Sequence, residues 1–201
     1  MPKRKAVFLD KDGTIVPDVP YNVNPDLISL ESGVVEGLKL LQKAGYIFIV
    51  ISNQAGVARG YFQLEELENV KRKIDSLLEP GEIKIERYYF CPHHPQGKIS
   101  EFTSSCECRK PRPGMILQAV EELDISIESS WMIGDILNDV EAGNRAGCKT
   151  IIINNGNETE WVEGPFRTPT FIAADFLNAA QFILQTPYEP KELDDKKLAA
   201  L

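Results

Sequence analysis

Ala6-Val7-Phe8-Leu9-Asp10-Lys11-Asp12-Gly13-Thr14 is the stretch from which the architecture of this chain can be read. Four apolar residues in a row, with none to face water, read as a short buried strand. Two carboxylates and a glycine follow at once, so they stand at the strand's carboxyl end, where the glycine lets the backbone turn. Outward from here the chain alternates. Gly33–Gly45 puts Val34, Leu38 and Leu41 on one helical face and stops at a glycine. Tyr46–Ile51 is a second apolar strand. Leu64–Leu78 carries Leu64, Leu67, Val70, Ile74 and Leu77 at helical spacing. Ile85–Phe90 reads as a strand, and Met115–Leu123 as a helix entered through Pro113. Trp131–Ile133 is a strand, Asn138–Ala146 a helix and Thr150–Ile153 a strand. Phe171–Ala173 and Asp175–Leu184 close the series as strand and helix. Such repetition predicts an α/β fold: a single Rossmann-like domain with a central parallel sheet and helices on both faces. Ligands then bind beyond the carboxyl ends of the strands. The domain is expected to span residues 1–185, with 186–201 a polar, charged tail.

Composition narrows the classes. Hydrophobic residues make up 43% of 201, enough for a core, and no apolar run approaches the roughly 20 residues that span a bilayer. The basic start Met1-Pro2-Lys3-Arg4-Lys5 precedes only four apolar residues, too few for a signal peptide. With free thiols, this leads us to expect a cytoplasmic protein. A net charge of −8 argues against a nucleic-acid partner but leaves room for an anionic substrate, which needs only local positive potential. Nothing in the sequence demands more than a monomer.

The carboxylates carry the chemistry. Asp10 and Asp12 end the first strand, and Asp135 and Asp139 follow the Trp131–Ile133 strand. Asp and Gly are ordinary turn residues, so either cluster alone is weak. Together, from two strand ends, they can converge on one cation, and oxygen-only ligation suits Mg2+. A carboxylate held there can attack phosphorus, the cation offsetting the repulsion between two anions. A second carboxyl group two residues on can give the leaving alkoxide its proton. Ser52-Asn53-Gln54 ends another strand and could hold phosphate oxygens, and Arg109-Lys110 supplies cations.

In this order, Asp10-Lys11-Asp12-Gly13-Thr14, Ser52, Lys110 and the pair Asp135/Asp139 resemble the four motifs of the haloacid dehalogenase (HAD) phosphatase superfamily. Ser52 through Gly60, Cys91-Pro92-His93-His94-Pro95-Gln96-Gly97 and Cys106-Glu107-Cys108-Arg109-Lys110-Pro111 look like the D-glycero-D-manno-heptose-1,7-bisphosphate 7-phosphatases, most of this being shared with histidinol-phosphate phosphatases. The resemblance covers roughly Ala6 to Ile153. It implies a magnesium-dependent phosphomonoesterase without a large cap. Asp10 would be nucleophile and magnesium ligand. Asp12 would be general acid, then base, and a ligand through its backbone carbonyl. Asp135 would be a further ligand. Ser52 and Lys110 would stabilise the transferring phosphoryl group. Arg109 would recognise substrate, with Asp18 through Tyr21 and Asn53, Gln54 and Ala55 bordering it. Two positions depart: Ile136 stands where Lys is frequent after the fourth-motif Asp, and Ser52 where Thr is frequent.

The polar segment Pro92–Pro113 interrupts the strand–helix alternation. Around it, Cys91, His93, Cys106 and Cys108 give Cys-x-His and, after twelve intervening residues, Cys-x-Cys. Three thiolates and an imidazole make a closed tetrahedral set, which suits a structural Zn2+ pinning a loop over about 91–110. The spacing is tighter than the usual pairs, and the family resemblance implies the same set. His94 reads as a spare, exposed loop residue and Cys148 as a buried core thiol. The expected substrate is a small phosphorylated sugar or metabolite, with heptose 1,7-bisphosphate first and histidinol phosphate second. A DNA 3′-phosphatase is disfavoured by the acidic chain. A zinc-stabilised binding module without catalysis is disfavoured because every motif position is filled.

Overall fold

The central strand of the computed structural model, which describes residues 3–187, is β1 (Lys5–Leu9), and Ala6 through Leu9 have no exposed surface. Five more strands join it: β2 (Tyr46–Asn53), β3 (Ile85–Cys91), β4 (Trp131–Gly134), β5 (Lys149–Ile153) and β6 (Phe171–Ala173). Every pairing is parallel, and the order across the sheet is β3-β2-β1-β4-β5-β6. The chain winds outward from β1 to one edge, returns to β4 and winds to the other. The switch point lies between β1 and β4, where two successive helices leave in opposite directions and a crevice opens above the strand ends.

Among the described residues six α-helices, α1 (Val34–Lys43), α2 (Ala55–Arg59), α3 (Leu67–Leu78), α4 (Gly114–Leu123), α5 (Leu137–Ala146) and α6 (Phe176–Gln185), accompany the sheet. Side-chain alternation along β1 assigns the two faces. Val7 and Leu9 meet Leu38 and Leu41 of α1, Val70 and Ile74 of α3, and Phe176 and Ile183 of α6. Ala6 and Phe8 meet Met115, Ile116 and Ala119 of α4 and Ala142 of α5. Each such aliphatic side chain, fully buried, contributes roughly 1.5–3 kcal/mol. A Cβ at Gly37 would stand 2.8 Å from the Phe176 ring, so glycine sets the close approach of α1 and α6. The result is the expected single α/β domain. Among the described residues, no helix is long and apolar enough to cross a membrane.

Several element ends differ from expectation. β2 runs beyond Ile51 because Ser52 and Asn53 still pair with Phe90 and Cys91 of β3. The helix predicted from Leu64 opens with a tight 3-10 turn, Leu64–Glu66, and becomes α-helical at Leu67. The five-residue α2 is too short to show a period and was not expected. Within 92–113 the only regular element among the described residues is the 3-10 turn Ser100–Phe102. Asp175 caps α6 by accepting from the Asn178 N–H at 2.8 Å. Of the expected tail, residues 188–201 lie outside the described residues.

Candidate active site

Asp10 is the first residue past β1, 7% exposed, and its N–H donates to the Ile133 carbonyl of β4 at 2.9 Å. The chain then folds back: Gly13 donates to the Val16 carbonyl at 2.8 Å, and Ile15 and Val16 are buried in the core. Gly13 has a φ of +73°, and a Cβ there would stand 2.0 Å from the Asp135 carboxylate, so only glycine fits. Asp12 turns its carboxylate to the Lys11 ammonium and to Gln54, whose Nε2 donates at 3.2 Å. Burial, with repulsion from Asp10, raises the Asp12 pKa above the ordinary carboxylate value, against the pull of Lys11 and Gln54. A carboxyl group so placed is suited to carry a proton.

Ser52 and Gln54 follow from β2. The Gln54 Nε2 also donates to the Ser52 hydroxyl at 2.8 Å, and the Gln54 N–H donates to the Cys91 carbonyl at 2.8 Å. Asn53 uses its carboxamide on the backbone of Lys110, donating to the carbonyl and accepting from the N–H, both at 3.0 Å. Lys110 is 3% exposed; its ammonium donates to Asp10 Oδ1 at 2.6 Å and to the Ile51 carbonyl at 3.0 Å, and it forms an ion pair with Asp139, whose Oδ1 is 2.6 Å away. Burial alone would lower its pKa, but Asp10 and Asp139 outweigh it and the pKa rises. Lys110 therefore stays charged.

Asp135 leaves β4, and Asp139 sits in the first turn of α5, fully buried, accepting from the Ile136 N–H at 3.3 Å. One oxygen each from Asp10, Asp135 and Asp139 lies within 4.8 Å of the others. Burial and mutual repulsion raise the pKa values of Asp135 and Asp139. Three carboxylates face one ammonium here, so a divalent cation would neutralise what remains, and the all-oxygen donor set fits Mg2+. A second cluster sits at the end of β3. The sulfurs of Cys91, Cys106 and Cys108 are 3.0–3.5 Å apart, and the Cys108 sulfur is 3.4 Å from His93 Nδ1. The four residues could hold one metal ion, and all four cysteines of the chain are free of disulfides.

An open cavity of about 330 Å³ lies over these groups. Its walls include the predicted Asp10, Asp12, Asp18, Tyr21, Ser52, Asn53, Gln54, Lys110 and Asp135. Arg109 is not among them: its guanidinium reaches the His93 carbonyl at 3.4 Å. His94, expected to be exposed, is half-buried, 3.5 Å from the Arg59 guanidinium, and its pKa is lowered by burial and by Arg109 and Arg59. Cys148 is buried as expected, and burial pushes its thiol up to about 12. Four wall residues carry no role in the sequence reading: Lys11, Asn22, Gly56 and Asn157. Asn157 donates to Asp135 at 2.7 Å. Asn154-Asn155-Gly156-Asn157 directly follows a sheet strand at its carboxyl end, which marks the place but not the residue, since asparagine is also an ordinary turn former.

Comparison with known proteins places these observations. Residues 107–179 match the HAD-hydrolase-like family. The chain is similar to the D-glycero-beta-D-manno-heptose-1,7-bisphosphate 7-phosphatase of Salmonella typhi, at 36% identity over 90% of both chains. It is 37% identical to the protein of the same name from Escherichia coli strain K12, over 78% of this chain and 87% of that one. Among solved structures it resembles the D,D-heptose 1,7-bisphosphate phosphatase of B. bronchiseptica complexed with magnesium and phosphate. The TM-score is 0.78 and the identity 28%, over 90% of this chain and 98% of that one.

Proposed function

The chain belongs to the D-glycero-beta-D-manno-heptose-1,7-bisphosphate 7-phosphatase family of HAD phosphatases, and from this we propose that it removes the 7-phosphate of D-glycero-D-manno-heptose 1,7-bisphosphate. The observation that carries this reading is the convergence of Asp10, Asp12, Ser52, Lys110 and Asp135 on one cavity. An Asp10 oxygen attacks the phosphorus, a P–O bond forms and the ester P–O bond breaks. Asp12 gives its proton to the leaving sugar oxygen. Asp12 then takes a proton from water as the water oxygen attacks phosphorus, and the aspartyl-phosphate bond breaks to release phosphate and restore Asp10. Ser52 and Lys110 hold the oxygens of the transferring group.

Asp10, Asp135 and the backbone carbonyl of Asp12 would hold Mg2+, which when bound offsets the repulsion between nucleophile and phosphate. Cys91, His93, Cys106 and Cys108 would hold a structural Zn2+. The sulfur–imidazole separations of 3.4 and 3.8 Å match the edges of a tetrahedron built on zinc bond lengths, and the sulfurs, 3.0–3.5 Å apart, would spread toward the roughly 3.8 Å edge that zinc–thiolate bonds set. The thiolates need a reducing compartment, which supports a cytoplasmic setting. All groups of the site come from one chain, which supports action as a monomer.

The substrate carries a second phosphate, and Arg59, Arg109 and His94 cluster nearby. Among the described residues neither guanidinium has a carboxylate within 4.0 Å. Tyr21, at the cavity wall with a φ of +57°, is braced by the Tyr61 ring at 4.7 Å and by Arg59 at 5.8 Å. A bisphosphate would meet the positive charge of this surface beside the cavity, whereas histidinol phosphate would bring a cation toward it. Phosphate release from both anomers of the heptose bisphosphate and from histidinol phosphate, with Mg2+, tests the reading. Turnover of the bisphosphate by wild type is expected, with loss in Asp10→Asn. Preference for histidinol phosphate would keep the mechanism and replace the substrate. Equal turnover by Asp10→Asn would sink the mechanism.

A further inference from the structure

The loop after β5 contacts the site at three points. The Asn155 amide donates to the Gly13 carbonyl at 2.7 Å, across 142 residues of sequence. The Asn157 amide donates to Oδ2 of Asp135 at 2.7 Å. The Glu158 carboxylate accepts from the Leu137 N–H, the first of α5, at 2.7 Å. Asparagine after a strand is an ordinary turn former, and Asn155 does accept from the Asn157 N–H at 3.1 Å. Turn chemistry does not require the two carboxamides to leave the turn and meet the catalytic backbone and a buried carboxylate.

From this geometry we infer that Asn157 is a positioning residue for Asp135, engaging Oδ2 so that Oδ1 is presented to the cation. A carboxylate free to rotate about its last bond samples both oxygens equally. One amide donor on Oδ2 selects one orientation, and Gly13 leaves the space for it: a Cβ there would stand 2.5 Å from the Asn157 amide nitrogen. The amide is neutral, so it orients the carboxylate without competing with the cation for its charge. Asn155 and Glu158 hold the loop that delivers it.

This inference rests on the reading of Asp135 as a cation ligand, and the test separates the two. The probe is Mn2+, added to the zinc-loaded full chain, with free Mn2+ counted by its electron paramagnetic resonance signal. Asn157→Ala is expected to weaken Mn2+ binding roughly 10–100-fold, the usual loss when a ligand's orienting partner is removed. The melting temperature without Mn2+ and the zinc content should stay at wild-type values, because Asn157 is exposed on its outer side. At saturating Mg2+ the turnover number should return to near wild type. Unchanged Mn2+ affinity in Asn157→Ala, with clear loss in Asp135→Ala, would overturn the role of Asn157 alone. Unchanged affinity in Asp135→Ala would overturn the metal-centre reading itself. An equal loss in Asn155→Ala would trace the effect to the loop as a whole and overturn the assignment to the Asn157 amide.

Discussion

The Lys110 ammonium donates to Asp10 and to the Ile51 carbonyl and forms an ion pair with Asp139, so one cation bridges the end of β1 and the first turn of α5. Removing the cation would leave two buried carboxylates facing each other. Lys110→Met is expected to cost about 3–5 kcal/mol. That corresponds to a fall in melting temperature of roughly 6–20 °C for a domain of this size, read by calorimetry without Mg2+ and partly reversed by it. Asp10→Asn should lower turnover by roughly 10⁴-fold or more, as when other covalent nucleophiles are removed, with little change in melting temperature. Ile136 is half-buried at the cavity wall. Ile136→Lys should lower KM for a bisphosphate about two- to fivefold at low salt, the worth of one exposed ion pair, and the gain should fade as salt is added. That Lys110 would join the site was legible from its place in the motif series. Its partner Asp139 was legible only as one of a pair, because the ion pair joins residues 29 positions apart.

At the scale of elements, the site is assembled from strand ends and from two connections with little regular structure. The Cys/His loop is tied to β2 through Asn53 and to β3 through Cys91, so its order and the placement of Lys110 are one problem. Cys106→Ser should reduce bound zinc from about one per chain to near zero, measured by elemental analysis. It should lower kcat/KM roughly tenfold or more while leaving far-UV circular dichroism nearly unchanged. Intact turnover in a zinc-free protein would show that the metal does not position the loop. The connection from β5 to β6 behaves differently. It carries Asn157 to Asp135 and packs on α5 through Asn144, which donates to the carbonyls of Phe166 and Thr168 at 2.8 and 2.9 Å. Its composition resembles an ordinary polar loop, so nothing in the residue pattern separates a functional asparagine from a turn former.

For the whole molecule, the carboxylate centre makes stability depend on pH and metal together. The pKa values of Asp135 and Asp139 are raised in the folded state by burial and repulsion. The folded protein then holds protons that the unfolded chain has released, so this stabilisation is present below the ordinary carboxylate pKa and is lost as pH rises above it. Metal-free protein should therefore lose stability between about pH 4 and pH 8, read as urea midpoints. Mg2+ should flatten the fall, and so should Asp135→Asn. A midpoint that climbs with pH in metal-free protein would contradict it. The same centre marks the boundary between what could and could not be read from residues. Ala6–Leu9 and Tyr46–Ile51 declared buried parallel strands because apolar content and strand period are local properties. The Asp10 loop, Ser52 and Asp135 announced themselves because strand ends are visible in one dimension. The cysteine and histidine spacing likewise singled out four side chains that the fold brings together. Tertiary structure alone brought β1 beside β4, set Lys110 between Asp10 and Asp139, turned Arg109 toward His93 instead of the cavity and delivered Asn157 to Asp135. Those contacts depend on which strand ends become neighbours and on the few ångströms over which hydrogen bonds and ion pairs act, and neither is written in the spacing of residues along the chain.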